Sequence, residues 1–224
     1  MYKALLSKEW LKTRRVFLIA LAVGVLVDCY VILEMKSLAQ ARGMGSLWLA
    51  MIQKDVSFVS IITYIPLIIG IAVGVAQMAP EMSQKRLKLT LHLPVPTFRL
   101  IAVMIGTGVL ELFVIFIAQM AIIAIYDATI LPPELVGRVM LTMLPWCLGG
   151  IIAYIFVAAI CLEGKWTMRG VLAALGTVTV ALMYQRQDAM AAYTGMLGII
   201  VILIFAVAAL AFGSVARFKE GLQD

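Results

Sequence analysis

Six apolar, charge-poor runs fill nearly the whole chain, and a helix through each is long enough to enter or cross a lipid bilayer. About 20 residues of α-helix cover the roughly 30 Å hydrocarbon core. Backbone groups in that medium must be satisfied within the segment, so helices are the form such runs take. They are read at residues 16–35, 56–78, 98–126, 139–162, 170–184 and 192–215. The fifth, at 15 residues, is short for a full span. Either the fifth and sixth runs divide their apolar residues unevenly, or part of 170–193 is re-entrant. The expectation is an all-α polytopic membrane protein, one transmembrane domain over 1–224.

Composition excludes the soluble classes: 64% of the 224 residues are apolar and 13% charged, with a mean hydropathy of +1.07, far from a soluble globular domain. With the N-terminus inside, thirteen Lys and Arg fall in inner segments and five in outer ones. That positive-inside asymmetry sets the orientation, and an even number of spans then puts both termini in the cytoplasm. The expected location is the cell membrane, plasma or bacterial inner, as a multi-pass protein. The net charge of +6 reads as topology and attraction to anionic headgroups, and nucleic acid is not an expected partner. Ala39-Gln40-Ala41 resembles a signal-peptidase site, but the apolar run before it is longer than an h-region of about 7–15 residues, so the first segment is read as a permanent span.

Catalytic and metal chemistry find little support. Cys29, Cys147 and Cys161 fall in spans with no CxxC and no nearby His, so they are read as packing residues and no disulfide or metal site is expected. The fourteen methionines are scattered among the spans, as flexible apolar filling is. His92 is the sole histidine and has no nucleophile or metal ligand spaced to work with it. The chain is not expected to be an enzyme or to bind a cofactor itself.

Residues 2–15 put Tyr2, Leu5, Leu6 and Trp10 on one helical face with Lys3, Ser7, Lys8, Lys12 and Arg14 around the rest. That pattern predicts an amphipathic elbow helix over 1–15 lying on the inner leaflet, anchored by Trp10, Arg14 and Arg15. Outer connections are short: 36–55 has room for a small helix, and Leu131-Pro132-Pro133-Glu134 is a tight turn. Within the spans, Gly70-x-x-x-Gly74 permits close helix approach, and Pro66 and Pro145 bend their helices.

The inner connection after the second run, APEMSQKRLKLTLHLPVPTFRL over 79–100, combines charge with prolines. Arg86 to Leu93 alternates polar and apolar, which by itself reads as a strand, yet a lone strand beside the membrane leaves its backbone unpaired. As a helix over 80–93, Glu81, Lys85, Lys88 and His92 form one stripe, Leu87 and Leu91 flank it on one side, and Leu89 and Leu93 on the other. Glu81 and Lys85 are a favourable i,i+4 pair, Pro80 suits a first turn and Pro94 stops the helix.

This tail, Leu89-Thr90-Leu91-His92-Leu93-Pro94-Val95-Pro96-Thr97-Phe98-Arg99-Leu100, resembles the first inner loop of the permease subunits of ABC-2 type ATP-driven transporters. Lys8-Glu9-Trp10 with Arg14-Arg15 is similar to that family's N-terminal elbow. The likeness extends over the whole chain, and departs from the family at Lys85-Arg86, where Gly-Thr is common. It implies a short cytoplasmic coupling helix, with Glu81, Lys85, Arg86, Leu87, Lys88, Leu89, Leu91, His92 and Leu93 docking on a separate ABC ATPase subunit that binds ATP and Mg. No GxxxxGK[ST] loop occurs here to bind nucleotide. The resemblance further implies a second copy of this permease or a related one, membrane lipids around it, and export of a lipid, peptide, antibiotic or ion. The alternative is a non-transporting membrane scaffold whose loop recruits a cytoplasmic partner.

Two carboxyls lie deep inside runs, Asp28 in the first and Glu111 in the third, while Glu34 is near the outer interface. Rise counted from Arg15 and Arg99 puts both about 18–20 Å from the inner boundary, hence at one depth. A carboxylate there costs about 2.5–3.5 kcal/mol on insertion scales. Either they line the translocation path, or they make a structural contact with Gln119, Thr107 or a neighbouring subunit.

Overall fold

A computed structural model of the chain describes residues 2–53, 59–83, 96–185 and 190–219. Its regular elements are helices: α1 (Tyr2–Arg42), α2 (Met44–Gln53), α3 (Ile65–Ser83), α4 (Thr97–Ile130), α5 (Pro133–Leu162), α6 (Trp166–Met183) and α7 (Leu197–Lys219), with 3₁₀ turns at Ser60–Ile62 and Thr194–Met196. Among the described residues there is no strand. All but α2 contain a segment long and apolar enough to cross a membrane. This is a multi-pass membrane bundle.

α5 is the hub. It packs against α3, α4, α6 and α7, while α1 packs against α2, α3 and α4. The α3–α5 crossing is close because Gly70 lies against the Gly150 backbone and Gly150 against the Pro66 carbonyl, so a Cβ at either glycine would overlap backbone. The glycines at 70 and 74 thus do what their spacing predicts. Around this centre the outward faces stay greasy: Leu18, Leu26 and Leu33 on α1, Phe113 and Ile125 on α4, and Ile202 and Phe205 on α7 are all exposed, as a lipid-facing surface requires.

Chain punctuation explains the helix ends. α1 stops at Gly43, whose N–H still reaches the Ala39 carbonyl at 3.0 Å and whose φ of 79° then turns the chain out of the helix. α2 folds back, and Trp48 Nε1 donates to the Ile130 carbonyl at the end of α4, 3.2 Å away. The expected turn at 131–134 closes α4 onto α5, with proline in the first turn of α5.

Three expectations need correction. The elbow over 1–15 is no separate element, because α1 runs unbroken from Tyr2 to Arg42. No glycine or proline interrupts it before Gly24, and its inner polar residues find partners inside the bundle. The coupling helix over 80–93 does not begin at Pro80, since residues 80–83 are the last turn of α3. Proline omits one backbone N–H, and membrane helices tolerate this where packing supplies other partners. The second span starts as α3 at Ile65, later than the expected residue 56. The fifth run, by contrast, is one uninterrupted 18-residue helix.

Candidate functional site

Six side chains from four helices meet at the end of the bundle that carries the N-terminus, and each is at most 2% exposed: Glu9 and Thr13 on α1, Gln77 and Glu81 on α3, Glu111 on α4 and Tyr154 on α5. Gln77 is the centre. Its Nε2 donates to Glu9 Oε2 at 3.0 Å and to the Met104 carbonyl at 2.7 Å. Its Oε1 accepts from the Tyr154 hydroxyl at 2.8 Å. Both N–H groups and the oxygen of the amide are therefore engaged, each by a different helix.

The charges form a second layer. Glu81 Oε1 accepts from Lys12 at 2.8 Å and Lys8 at 3.0 Å, and Lys12 also reaches Glu9 at 2.7 Å. Two lysines thus balance two carboxylates in a desolvated setting, the arrangement that buried ions require. Glu111 is the carboxyl left over: Thr13 donates to its Oε1, and its Oε2 has no partner among the described residues. Gly108 makes room for all this, because a Cβ there would overlap the Tyr154 hydroxyl and the Gln77 amide oxygen.

Asp28 and Glu111 do not share a depth. Glu111 meets Thr13, and Asp28 lies fifteen residues further along α1, about 22 Å away along the axis. Arg15 is the wrong reference point, since α1 is already buried at Leu5, Glu9 and Thr13. Both carboxyls are buried, so neither faces lipid. Asp28, Thr63, Gln119 and Asp127 are each at most 1% exposed. The carboxylate, amide and hydroxyl oxygens and nitrogen of these four have no hydrogen-bond partner among the described residues. Gln119 lies on the α1–α4 seam, where a Cβ on Gly24 would stand 2.8 Å from its Nε2. Thr107 donates to the Val103 carbonyl.

A clamp closes the foot of α5. Glu163 is fully buried and its Oε2 accepts from the Arg217 guanidinium of α7, which also reaches Ser214. Burial alone would push the Glu163 carboxyl up, but the bonds from Arg217 and Ser214 and the guanidinium charge hold it below its ordinary value. Arg169 Nε donates to the Glu163 carbonyl at 2.8 Å, and its guanidinium lies 5.1 Å from the Trp166 ring centroid.

No family model, curated protein or solved structure matches the chain. Of the residues expected to dock an ATPase, only Glu81 is described, and it is buried against α1 where a docking surface would need it exposed. Lys85, Arg86, Leu87, Lys88, Leu89, Leu91, His92 and Leu93 lie outside the described residues. Trp10, Arg14 and Arg15 are exposed on α1, and Trp10 packs edge-on against Phe17. Sequence reasoning missed Gln77, Tyr154 and Thr13. The available signal was a lone amide and a lone phenol inside otherwise apolar runs, since such groups need partners in a membrane.

Proposed function

We propose that the chain is the membrane-spanning permease subunit of an ATP-driven exporter of the ABC-2 type, working with a separate cytoplasmic ATPase and a second permease copy. One observation carries this reading. Glu81, three residues before the 84–95 connection that resembles the family's coupling loop, is locked by Lys8 and Lys12 into a buried polar network joining α1, α3, α4 and α5. A push on that connection would reach the foot of α3, and through it three further helices, as a rigid body. Packed elements transmit motion in this way because they rearrange between discrete states.

Asp28, Gln119 and Asp127 suit the other half of the task. Buried polar groups without hydrogen-bond partners among the described residues are where a membrane protein meets ions, water or polar cargo. Cargo of the classes above would contact them when the α1–α4 seam opens. ATP and Mg would act only in the partner, and both termini would face the cytoplasm of a plasma or bacterial inner membrane.

Copurification tests this. The tagged chain, extracted in mild detergent, is expected to bring down an ATPase whose turnover changes when residues 84–93 are replaced by a Gly-Ser linker. Absence of any ATPase, with another cytoplasmic protein recovered instead, would favour the scaffold reading.

A further inference from the structure

A groove runs down the side of the bundle between α3, α5 and α6. Its upper part, about 400 Å³, is walled by apolar and small side chains, among them Ile71, Phe156, Ile160, Ala173, Thr177 and Ala181. A wider mouth of about 740 Å³ continues it past Ile160 and Ala173 to Met82, Trp166 and Arg169. Among the described helices α6 leans chiefly on α5: Gly176 lies against the Phe156 ring, while small residues on the side toward α3 leave the gap unfilled. Ile71, Ala173, Thr177 and Ala181 are exposed, so the groove opens sideways into the bilayer.

The mouth is itself mostly apolar, and the one charged side chain among those lining it is Arg169. Arg169 Nε is committed to the Glu163 carbonyl, which fixes the plane of the guanidinium. The Glu163 carboxylate is taken by Arg217, and among the described residues no carboxylate pairs with Arg169. Trp166 is 77% exposed, placed as an aromatic at the headgroup boundary would be. From Arg169 to Ala181 the helix rises about 18 Å, close to the roughly 15 Å of one leaflet. An apolar slot one leaflet deep, capped by a guanidinium whose fork fits phosphate oxygens, matches the two halves of a phospholipid.

We propose that this groove binds one anionic glycerophospholipid from the leaflet at the N-terminal end of the bundle, with an acyl chain along α6 and its phosphate at Arg169. Basic pockets between spans recognise anionic headgroups in this way. The site lies outside the polar network and the α1–α4 seam, so it does not depend on the chain being a permease. Its occupant is a resident lipid that fills the gap between α3 and α6.

Native mass spectrometry on delipidated protein, titrated separately with phosphatidylglycerol and phosphatidylcholine, tests it. Wild type is expected to hold one phosphatidylglycerol about fivefold or more tighter than phosphatidylcholine, the effect of one basic residue near a headgroup. Arg169→Gln should abolish the preference and Arg169→Lys should keep most of it. Ala173→Phe and, independently, Thr177→Phe should block binding of both lipids, whereas Ile202→Phe on the exposed face of α7 should not. Circular dichroism confirms that each variant is folded. Equal binding of the two lipids by wild type, an Arg169→Gln protein that keeps the preference, or Phe variants that bind normally would overturn the proposal.

Discussion

Glu81→Gln removes one charge from the buried network while keeping the side chain's shape, and its cost can be worked from the geometry. Three ion pairs are at stake around two lysines: Lys12 to Glu81 at 2.8 Å, Lys8 to Glu81 at 3.0 Å and Lys12 to Glu9 at 2.7 Å. Orphaning a buried charge costs about 3–5 kcal/mol. Lys12 keeps Glu9, however, and Lys8, 34% exposed, regains solvent or headgroups at about 0–1 kcal/mol. The expected loss is therefore about 2–3 kcal/mol, below the full penalty of an unpaired ion. Lys12→Met alone should cost a similar amount by leaving Glu9 and Glu81 poorly balanced. Together, the two changes remove one charge of each sign, so the double variant should be more stable than the sum of the singles by about 1 kcal/mol or more. Reversible unfolding in mixed micelles of a mild detergent and dodecyl sulfate, followed by tryptophan fluorescence, gives the four free energies. Strict additivity, or a loss below about 0.5 kcal/mol for Glu81→Gln, would refute the idea of a coupled buried network.

Other consequences are simpler to read. Tyr154→Phe leaves the Gln77 amide oxygen buried without its 2.8 Å donor and should destabilise by about 1–2 kcal/mol in the same assay; an unchanged midpoint would mean that this bond carries nothing. The Glu163–Arg217 clamp should be pH-dependent. Because the folded carboxyl sits below its ordinary value of 4.5, its contribution is complete above that value and lost as pH falls through the folded-state pKa. The stability gap between wild type and Glu163→Gln should therefore be constant near neutrality and shrink below about pH 4.5, and a gap that grows on acidification contradicts the assignment. Ala191 has a φ of 56°, with its N–H donating to Thr142 Oγ1 at 2.8 Å. The left-handed conformation costs a non-glycine residue about 1–2 kcal/mol, so Ala191→Gly should raise the unfolding midpoint, and a lower one would show that no strain is relieved.

How far the sequence discloses this protein depends on the range of the forces involved. The spans were legible because length and hydropathy are local properties measured against a bilayer of known thickness. Gly70 and Gly74 were legible as a contact, although the partner Gly150 was not. The N-terminal segment failed because its amphipathic pattern has two solutions. Lys12 beside Glu9 can lie at a headgroup boundary, or it can turn inward to a carboxylate 69 positions away, and nothing local chooses between them. Pro80 failed for a related reason, since the rule that proline opens a helix comes from water, whereas inside a packed membrane bundle the missing bond is tolerated. The depth assigned to Asp28 inherited the first error, because it was counted from a boundary at Arg15 that the continuous α1 does not have. Asp28 and Glu111 stand out in the sequence as carboxyls inside apolar runs, whereas Glu81 reads there as a docking residue and is instead buried. Their partners lay beyond any spacing rule.

The central claim is that the foot of α3 couples the membrane bundle to an ATPase, and one measurement bears on it most directly. It is the ATP turnover of the purified complex in nanodiscs, compared between wild type and Glu81→Gln at matched ATPase content. A coupled network should leave the ATPase bound while its turnover loses its dependence on the permease, approaching the rate of the ATPase alone. Turnover indistinguishable from wild type, or no ATPase held by the wild-type chain at all, would contradict the account.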